Sequence, residues 1–443
     1  MSASPLTGRY LPGRQSRARL MRLESAAILK RFFFCEEALI RGMAGWLAAI
    51  APFEVKMTLP RHIWEDALVA GELRQRVLEL KYPNRLMEVG DDAPLVALFE
   101  AARHAPLPVM YLAALQRVLV PALHRTYREY LAAADELGDG PTRRFLELAV
   151  REKERQIEEL AAMVELLLSA APESRPAADD WAGAVASRME ALGGVTLEAV
   201  PPLQQEPLPG SAPFALAQVP GRDPRFHRCR FYWPDAIDPS YPYGEGIALQ
   251  LRSAISHLNE VWAVDTAGAI LEAFAGTLGW EFVSDAARWV YDESRHTVMG
   301  WTRLRDWGFS RDELPLGTYI YDAARDQDPI YRLGMLFFFE TKNIGKKTGR
   351  AAAFASYGDA ASQHDMEFDW ADEGIHAAYG KRWLTALIAA RGLPSETFEA
   401  VQRRCEELVA ATVASATADE AREIRRVADH LIARASALAV PVS

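Results

Sequence analysis

The amino-acid sequence predicts an all-α protein made of helical bundles. Three observations carry that expectation. Apolar residues recur at three- and four-residue spacing over most of the chain, while strand signals are scarce. The pattern Asp-Glu-x-x-His occurs twice, at residues 292–296 and 372–376. A further glutamate stands 33 residues before each motif glutamate.

The elements follow in order. A chain of 443 residues, half of them hydrophobic, can bury a sizeable core and divides most simply into two or three domains. Residues 1–22 are basic and lack the apolar run of a secretory signal, so a disordered basic arm is expected there. Residues 23–170 read as helix almost throughout, in stretches such as AAILKRFFFCEEALIRGMAGWLAAI and PTRRFLELAVREKERQIEELAAMVELLL. Residues 171–245 are rich in proline and keep no period, which predicts a long connector. Helical periodicity returns over 246–391. Residues 392–443 carry further helices, with a start signal at Pro394 and Ser395 and a capping-box pattern at Thr417 and Glu420.

Composition excludes several classes. A net charge of −10 argues against an extended nucleic-acid-binding face. Cys35, Cys229 and Cys405 lie far apart and offer no disulfide framework, so a reducing, cytoplasmic setting is expected. The apolar stretch PLPVMYLAALQRVLVPAL is broken by prolines, Gln116 and Arg117, short of the ~20 apolar residues that a membrane span needs. No membrane association is expected.

The two motifs carry the chemistry. On a helix, residues three apart share a face, so Glu293 and His296 point one way, as do Glu373 and His376. A carboxylate and an imidazole on one turn can hold a divalent metal together. One such match means little in a chain with nine histidines. The spacing of Glu260 and Glu340 decides. Thirty-three residues is the length of a helix, a short turn and half of a second helix, and it separates Glu260 from Glu293 and Glu340 from Glu373 alike. Each pair then sits at one height on two antiparallel helices. Two such hairpins make a four-helix bundle with four glutamates and two histidines facing inward. The flanking residues agree: Glu293 lies among Trp289, Val290, Val298 and Met299, and Glu340 follows Leu336 and three phenylalanines. A carboxylate on a buried face needs a partner. Glu272 competes for the first position, but 21 residues before Glu293 is short for this geometry. His257, one turn before Glu260, reads more readily as a supporting or surface residue than as a ligand.

With HLNEVWAVD, DESRH, FFFETKNIG and DEGIHAAYGKRW in view, residues 257–384 resemble the ferritin-like di-metal carboxylate superfamily. That group includes ribonucleotide reductase small subunits, bacterial multicomponent monooxygenases, rubrerythrins and the tRNA hydroxylase acting on a modified adenosine. The motifs look closest to a bacterial ferritin-like family related to that hydroxylase. The resemblance implies two iron ions, or a manganese–iron pair, on Glu260, Glu293, His296, Glu340, Glu373 and His376. It implies that Glu293 and Glu373 bridge the metals. It also implies that Asp292 and Asp372 accept from the histidine of the opposite hairpin, fixing its tautomer. Radical-generating subunits carry a tyrosine where this chain has Gly300, which argues against that role and leaves room for substrate.

A faint internal repeat runs at a shift of about 220 residues. GELRQRV aligns on DESRHTV, placing Glu72 and Gln75 opposite Glu293 and His296. Residues 138–156 align without gaps on 358–376, placing Lys153 and Gln156 opposite Glu373 and His376. Val120 falls opposite Glu340, Glu37 opposite Glu260, and Ala44-Gly45 opposite Ala267-Gly268. The N-terminal half is therefore expected to be a degenerate second ferritin-like bundle that holds no metal and covers one side of the active bundle as a second subunit would.

A carboxylate-rich site with two imidazoles suits iron or manganese better than structural zinc. Anionic oxygen ligands favour the high oxidation states that O₂ activation requires. The expected function is O₂-dependent oxidation or hydroxylation of a small organic substrate. No flavin or nicotinamide fingerprint is present, so electrons would come from a donor protein or the substrate. Two alternatives stand beside it: a hydroxylase of a modified tRNA nucleoside, with Lys342, Lys346 and Lys347 as anion contacts, and a non-catalytic metal- or partner-binding protein. The sequence leaves the oligomeric state open.

Overall fold

Helices supply nearly all the regular structure of the computed structural model, which describes residues 19–203 and 206–439. Most of the basic arm expected over residues 1–22 lies outside the described residues. The N-terminal half holds α1 (Arg22–Trp46), α2 (Phe53–Glu79), α3 (Ala93–Ala102), α4 (Pro108–Ala114), α5 (Val120–Ala133) and α6 (Gly140–Ala170). One π turn, Leu115–Leu119, joins α4 to α5 and places Pro121, which has no N–H to donate, at the start of α5.

The connector expected from residue 171 begins instead with a helix, α7 (Arg175–Ala191), packed on α4. Its buried residues, Ala178, Trp181, Ala182, Val185 and Met189, keep three- and four-residue spacing. Pro176 sits in the first turn, where a missing N–H costs nothing, so proline content there was a start signal rather than a break.

The C-terminal half holds α8 (Ile247–Asn259), α9 (Val261–Leu278), α10 (Trp280–Asp306), α11 (Tyr319–Ala323), α12 (Ile330–Ser356) and α13 (Ala360–Arg391). The last two helices are α14 (Phe398–Ala414) and α15 (Ala418–Leu438), the latter opened by the Thr417/Glu420 capping box. The rod α8–α9 packs with α10, α12 lies along α13, and α13 reaches both α10 and α9, so the four surround one interior. A parallel pair of two-residue strands, β1 (His227–Arg228) and β2 (Pro315–Leu316), ties the connector to the loop before α11. The stretch Ile247–Leu278 is long and apolar enough to cross a membrane by composition, yet 72% of its apolar window is buried against the other helices.

The halves pack side by side, α1 along α9 and α2 along α10. A Cβ on Gly268 would lie 2.6 Å from the carbonyl oxygen of Ala44, so the two helix backbones touch where the aligned Ala-Gly pairs cross. Below that crossing, Asp265 is fully buried and takes Lys56 Nζ at 2.6 Å and Arg222 Nη1 at 2.6 Å. This places a residue of α2, one of the connector and one of α9 in a single ion cluster.

The interior of the N-terminal half holds a lysine. Lys153 Nζ, from α6, lies 2.8 Å from Glu36 Oε2 and 2.7 Å from Asp66 Oδ1. Tyr127 donates to Glu36 at 2.6 Å, and Gln156 donates to Asp66 at 2.9 Å. The gapless part of the repeat thus falls on inward residues, whereas the matches at Glu72, Gln75 and Glu37 do not. Glu72 and Gln75 are exposed, and the inward carboxylates of α2 are Glu65 and Asp66, about two turns earlier. On α1 the fully buried residue is Glu36 and not Glu37. Letter matching ignored the apolar stripe Ile63, Ala67, Ala70, Leu73 and Val77, which sets the inner face of α2. Replacing Lys153 by Met leaves two buried carboxylates facing each other without a cation. The expected loss is about 3–5 kcal/mol, read as a lower midpoint in chemical unfolding. An unchanged midpoint would contradict this account of the interior.

Candidate metal centre

The rod formed by α8 and α9 is interrupted at Glu260. Its N–H bonds the His257 carbonyl at 3.0 Å, and its own carbonyl accepts from Ala263 at 2.7 Å, a tightened turn that swings the side chain inward. Asn259 pins the turn. Its amide donates to the carbonyls of Ile255 and Pro315, and its oxygen accepts the Gly317 N–H at 2.7 Å.

Glu260, Glu293, His296, Glu340, Glu373 and His376 all line this interior. His296 Nδ1 lies 3.3 Å from Glu260 Oε2 and 3.7 Å from Glu293 Oε2. His376 Nδ1 lies 3.1 Å from Glu293 Oε1 and 3.8 Å from Glu340 Oε2. Glu293 therefore stands between the imidazoles with one oxygen toward each. Two groups, Glu260/Glu293/His296 and Glu293/Glu340/His376, each bring three ligand atoms within 4.8 Å of one another and share Glu293.

Behind the imidazoles the contacts cross over. His296 Nε2 faces Asp372 Oδ2 at 3.2 Å, and His376 Nε2 faces Asp292 Oδ2 at 3.4 Å. On a neutral ring whose Nε2 donates to the aspartate, Nδ1 presents its lone pair toward the glutamates. Two arginines hold the aspartates. Arg288 Nε and Arg295 Nη1 bond Asp292 at 2.6 and 2.5 Å, and Arg295 reaches Asp372 at 3.0 Å. Burial would raise Asp292, but hydrogen bonds from His376 and Arg288 hold it below the ordinary carboxylate range.

Whether the residues fit a cation can be tested on unpartnered atoms. Glu260 Oε2, His296 Nδ1, Glu340 Oε2, Glu373 Oε2 and His376 Nδ1 are buried and have no hydrogen-bond partner. Buried polar atoms are seldom left so. Once deprotonated, all five present lone pairs, and a divalent cation is the group that accepts several such pairs at once. The charge balance points the same way. Burial, then Glu293 and Glu373, push Glu340 well above its usual range, and burial takes Glu373 up to about 7 against the pull of Lys347. Asp292 and Glu293 take His376 up to about 9 despite its burial. The cluster has excess negative charge and takes up protons, with which a metal competes.

Several residues here were missed in the sequence. Asp369 is fully buried, with Oδ1 3.5 Å from His296 Nδ1. It lies one turn before Glu373 on α13 and two turns before His376, a spacing that was available. Trp289 donates to Glu293 Oε1 at 3.1 Å and Glu340 Oε1 at 3.2 Å, and its ring stacks on His376 at 5.4 Å. It stands one turn before Glu293.

Of the remaining residues singled out in the sequence, Lys347 is placed differently from the expectation. Lys347 does not join Lys342 and Lys346 on the surface. It is buried, with Nζ 2.6 Å from Asp369 Oδ1 and 2.8 Å from Glu373 Oε1. It follows Glu340 by two turns and so shares its inward face, while Lys346, one residue back, is turned to solvent. Glu272 is away from the site, paired with Arg103 at 2.5 Å at the junction of the halves. His257 has both ring nitrogens engaged, with Asp369 at 3.0 Å and with Arg303.

Gly300 offers no room for a substrate. A Cβ there would lie 2.3 Å from Leu258 N and 2.5 Å from the Ala254 carbonyl oxygen, because the backbone of α8 fills the space. Gly300→Ala is expected to push α8 off α10 and destabilise the fold by about 1–3 kcal/mol, seen as a lower Tm. A wild-type Tm would show that the crossing is looser than this contact implies.

A family model described as "Protein of unknown function (DUF455)" matches residues 211–426. No curated protein and no solved structure matches the chain. The matched segment begins in the connector, spans α8 to α14 and ends within α15, so it contains every residue of the candidate centre and leaves out the N-terminal half.

Proposed function

We propose that the C-terminal half is a ferritin-like di-metal carboxylate bundle and that the chain is an O₂-dependent oxidoreductase acting on a small organic substrate. Two iron ions, or a manganese–iron pair, would be held by Glu260, Glu293, His296, Glu340, Glu373 and His376. The observation that carries this reading is the set of five buried, unpartnered lone-pair atoms, supplied by all four helical segments around one interior. Two glutamates alone on two helices, and a Glu-x-x-His on each of the other two, is the donor set of that superfamily. Bound there, the metals would supply the electrons and the Lewis acidity for reduction of O₂.

The chain's own residues have separate tasks. Glu293 faces both imidazoles and would serve both metals. Lys347 holds one oxygen of Glu373 and leaves the other for a metal. Asp292 and Asp372 keep the two imidazoles in one tautomer and orientation. The Trp289 N–H fixes Glu293 and Glu340 while its ring excludes water on that side. The N-terminal half closes the outer faces of α9 and α10. A cavity of about 290 Å³ borders Glu260, Glu340 and Glu373, room for a small molecule beside the centre. The tRNA reading is weakened by Lys347, which is spent on internal carboxylates.

Elemental analysis after anaerobic Fe(II) loading should find about two metals per wild-type chain and fewer in Glu373→Ala, with O₂ consumption only in the wild type. Full metal content in the variant would sink the ligand set. Metal binding without O₂ uptake would favour the non-catalytic alternative. Asp372→Asn should weaken metal affinity roughly 10–100-fold in a chelator competition, since His296 loses its orienting partner.

A further inference from the structure

The cavity beside the candidate centre has two unlike ends. Its buried end is bounded by the ligand carboxylates Glu260, Glu340 and Glu373. Away from them it is lined by cations and unpartnered donors. Arg252 is buried, and its Nε is paired with Asp235 at 2.9 Å, but its Nη1 is buried with no hydrogen-bond partner. The hydroxyl of the neighbouring Ser253 is likewise buried and unpartnered. Arg350 stacks on Tyr243 at 4.2 Å, and Arg252 faces the same ring at 5.0 Å. Among the described residues no carboxylate lies within ion-pair distance of Lys346 or Arg350. At the carboxylate end, Trp262 and Phe339, beside Glu260 and Glu340 in the chain, meet edge to face at 6.1 Å and give an apolar wall.

Buried donors without acceptors are costly unless a ligand or water satisfies them. One buried acceptor, Asp235 Oδ1, is also without a partner there, but two guanidinium groups, the solvent-facing Lys346 ammonium and the Ser253 hydroxyl outnumber it, and the excess of positive charge asks for a ligand bearing negative charge. Carboxylates and phosphates fit a guanidinium fork best. We propose that this cavity binds a small organic anion, its carboxylate or phosphate held by Arg252, Ser253, Arg350 and Lys346 and its apolar body lying along Trp262 and Phe339 toward the metal-binding end. This names the substrate class of the proposed oxidoreductase and rests on that reading for its catalytic meaning, though the anion site itself stands on the cavity's own residues.

The test uses the full chain, metal-free and Fe(II)-loaded under nitrogen, with metal content measured on the same samples. Calorimetric titration compares benzoate and phenyl phosphate with the neutral benzamide and benzyl alcohol. At least one anion should bind about tenfold or more tightly than its neutral counterpart, the preference one charge-assisted hydrogen bond can supply. The preference should hold in both forms, with weaker binding in the metal-free chain, where the ligand carboxylates repel the anion. It should vanish in Arg252→Gln. Because Arg252 also pairs with Asp235, the Arg350→Gln/Lys346→Gln double variant, which removes no protein ion pair, provides the second test and should lose most of it. Equal binding of neutral and charged probes overturns the proposal, as does a preference that survives both variants or appears only with metal, when the anion is binding the ion. Metal retained without anion preference defeats this inference alone. Anion preference in a chain that takes up no metal defeats the oxidoreductase reading and leaves the site.

Discussion

A carboxylate removed from water must be met by positive charge or by a proton, and the interior of each half is organised around that demand. The N-terminal half meets it with one residue. Lys153 lies between Glu36 and Asp66, and Tyr127 and Gln156 complete the hydrogen bonding. The C-terminal half brings four glutamates and Asp369 together and supplies two imidazoles and Lys347. Burial first, and then the crowding of carboxylates, pushes Glu340 and Glu373 upward, and five ligand-type atoms remain without hydrogen-bond partners. A closed ion network and an open one thus share the same helical setting. Within the gapless repeat alignment the difference lies at two positions of the fourth long helix, Lys153 and Gln156 in α6 against Glu373 and His376 in α13.

The open network keeps its shape through features that do not touch its lone pairs. Asn259 fixes the turn that carries Glu260 by bonding the strand segment at Pro315 and Gly317. Gly300 lets α8 approach α10 to backbone contact, and that approach sets the height of His257 and Glu260 against His296. Gly268 does the same for α1 and α9 at the junction of the halves. Asp265, bound by Lys56 and Arg222, gathers α2, the connector and α9. The connector is therefore part of the packing. Removing it would strand a buried aspartate and expose the face where the halves meet.

Arg288 and Arg295 show how the centre's rim is separated from its interior. They hydrogen-bond Asp292 and Asp372, which face the Nε2 atoms of the two histidines on the side away from the glutamates. The cavity on the other side repeats the theme with ligand space between the charges. Arg252 is only half satisfied by Asp235, and Arg350 and Lys346 meet no carboxylate among the described residues, while the glutamates of the candidate centre lie at the far end.

Much of this was legible before any coordinates. The helical period gave the fold class. The paired Glu-x-x-His motifs and their 33-residue offsets picked six side chains that lie around one interior, because a helix converts spacing into facing and two antiparallel helices convert equal spacing into equal height. Asp369, Trp289 and the inward turn of Lys347 followed from the same period and were overlooked for want of a motif. Other features could be decided only by tertiary structure. Glu36 rather than Glu37, and Asp66 rather than Glu72, depend on how each helix is rotated about its axis, and one residue turns a side chain by about 100°. That rotation is set by the apolar stripe and by the neighbouring helix, not by local letters. Whether Gly300 left a void or a helix contact depended on α8 crossing α10, a meeting of residues more than forty positions apart. Sequence alone determined which residues could share a face; the packing of distant helices decided which faces met, since burial energy belongs to the contact and not to either strand of sequence that makes it.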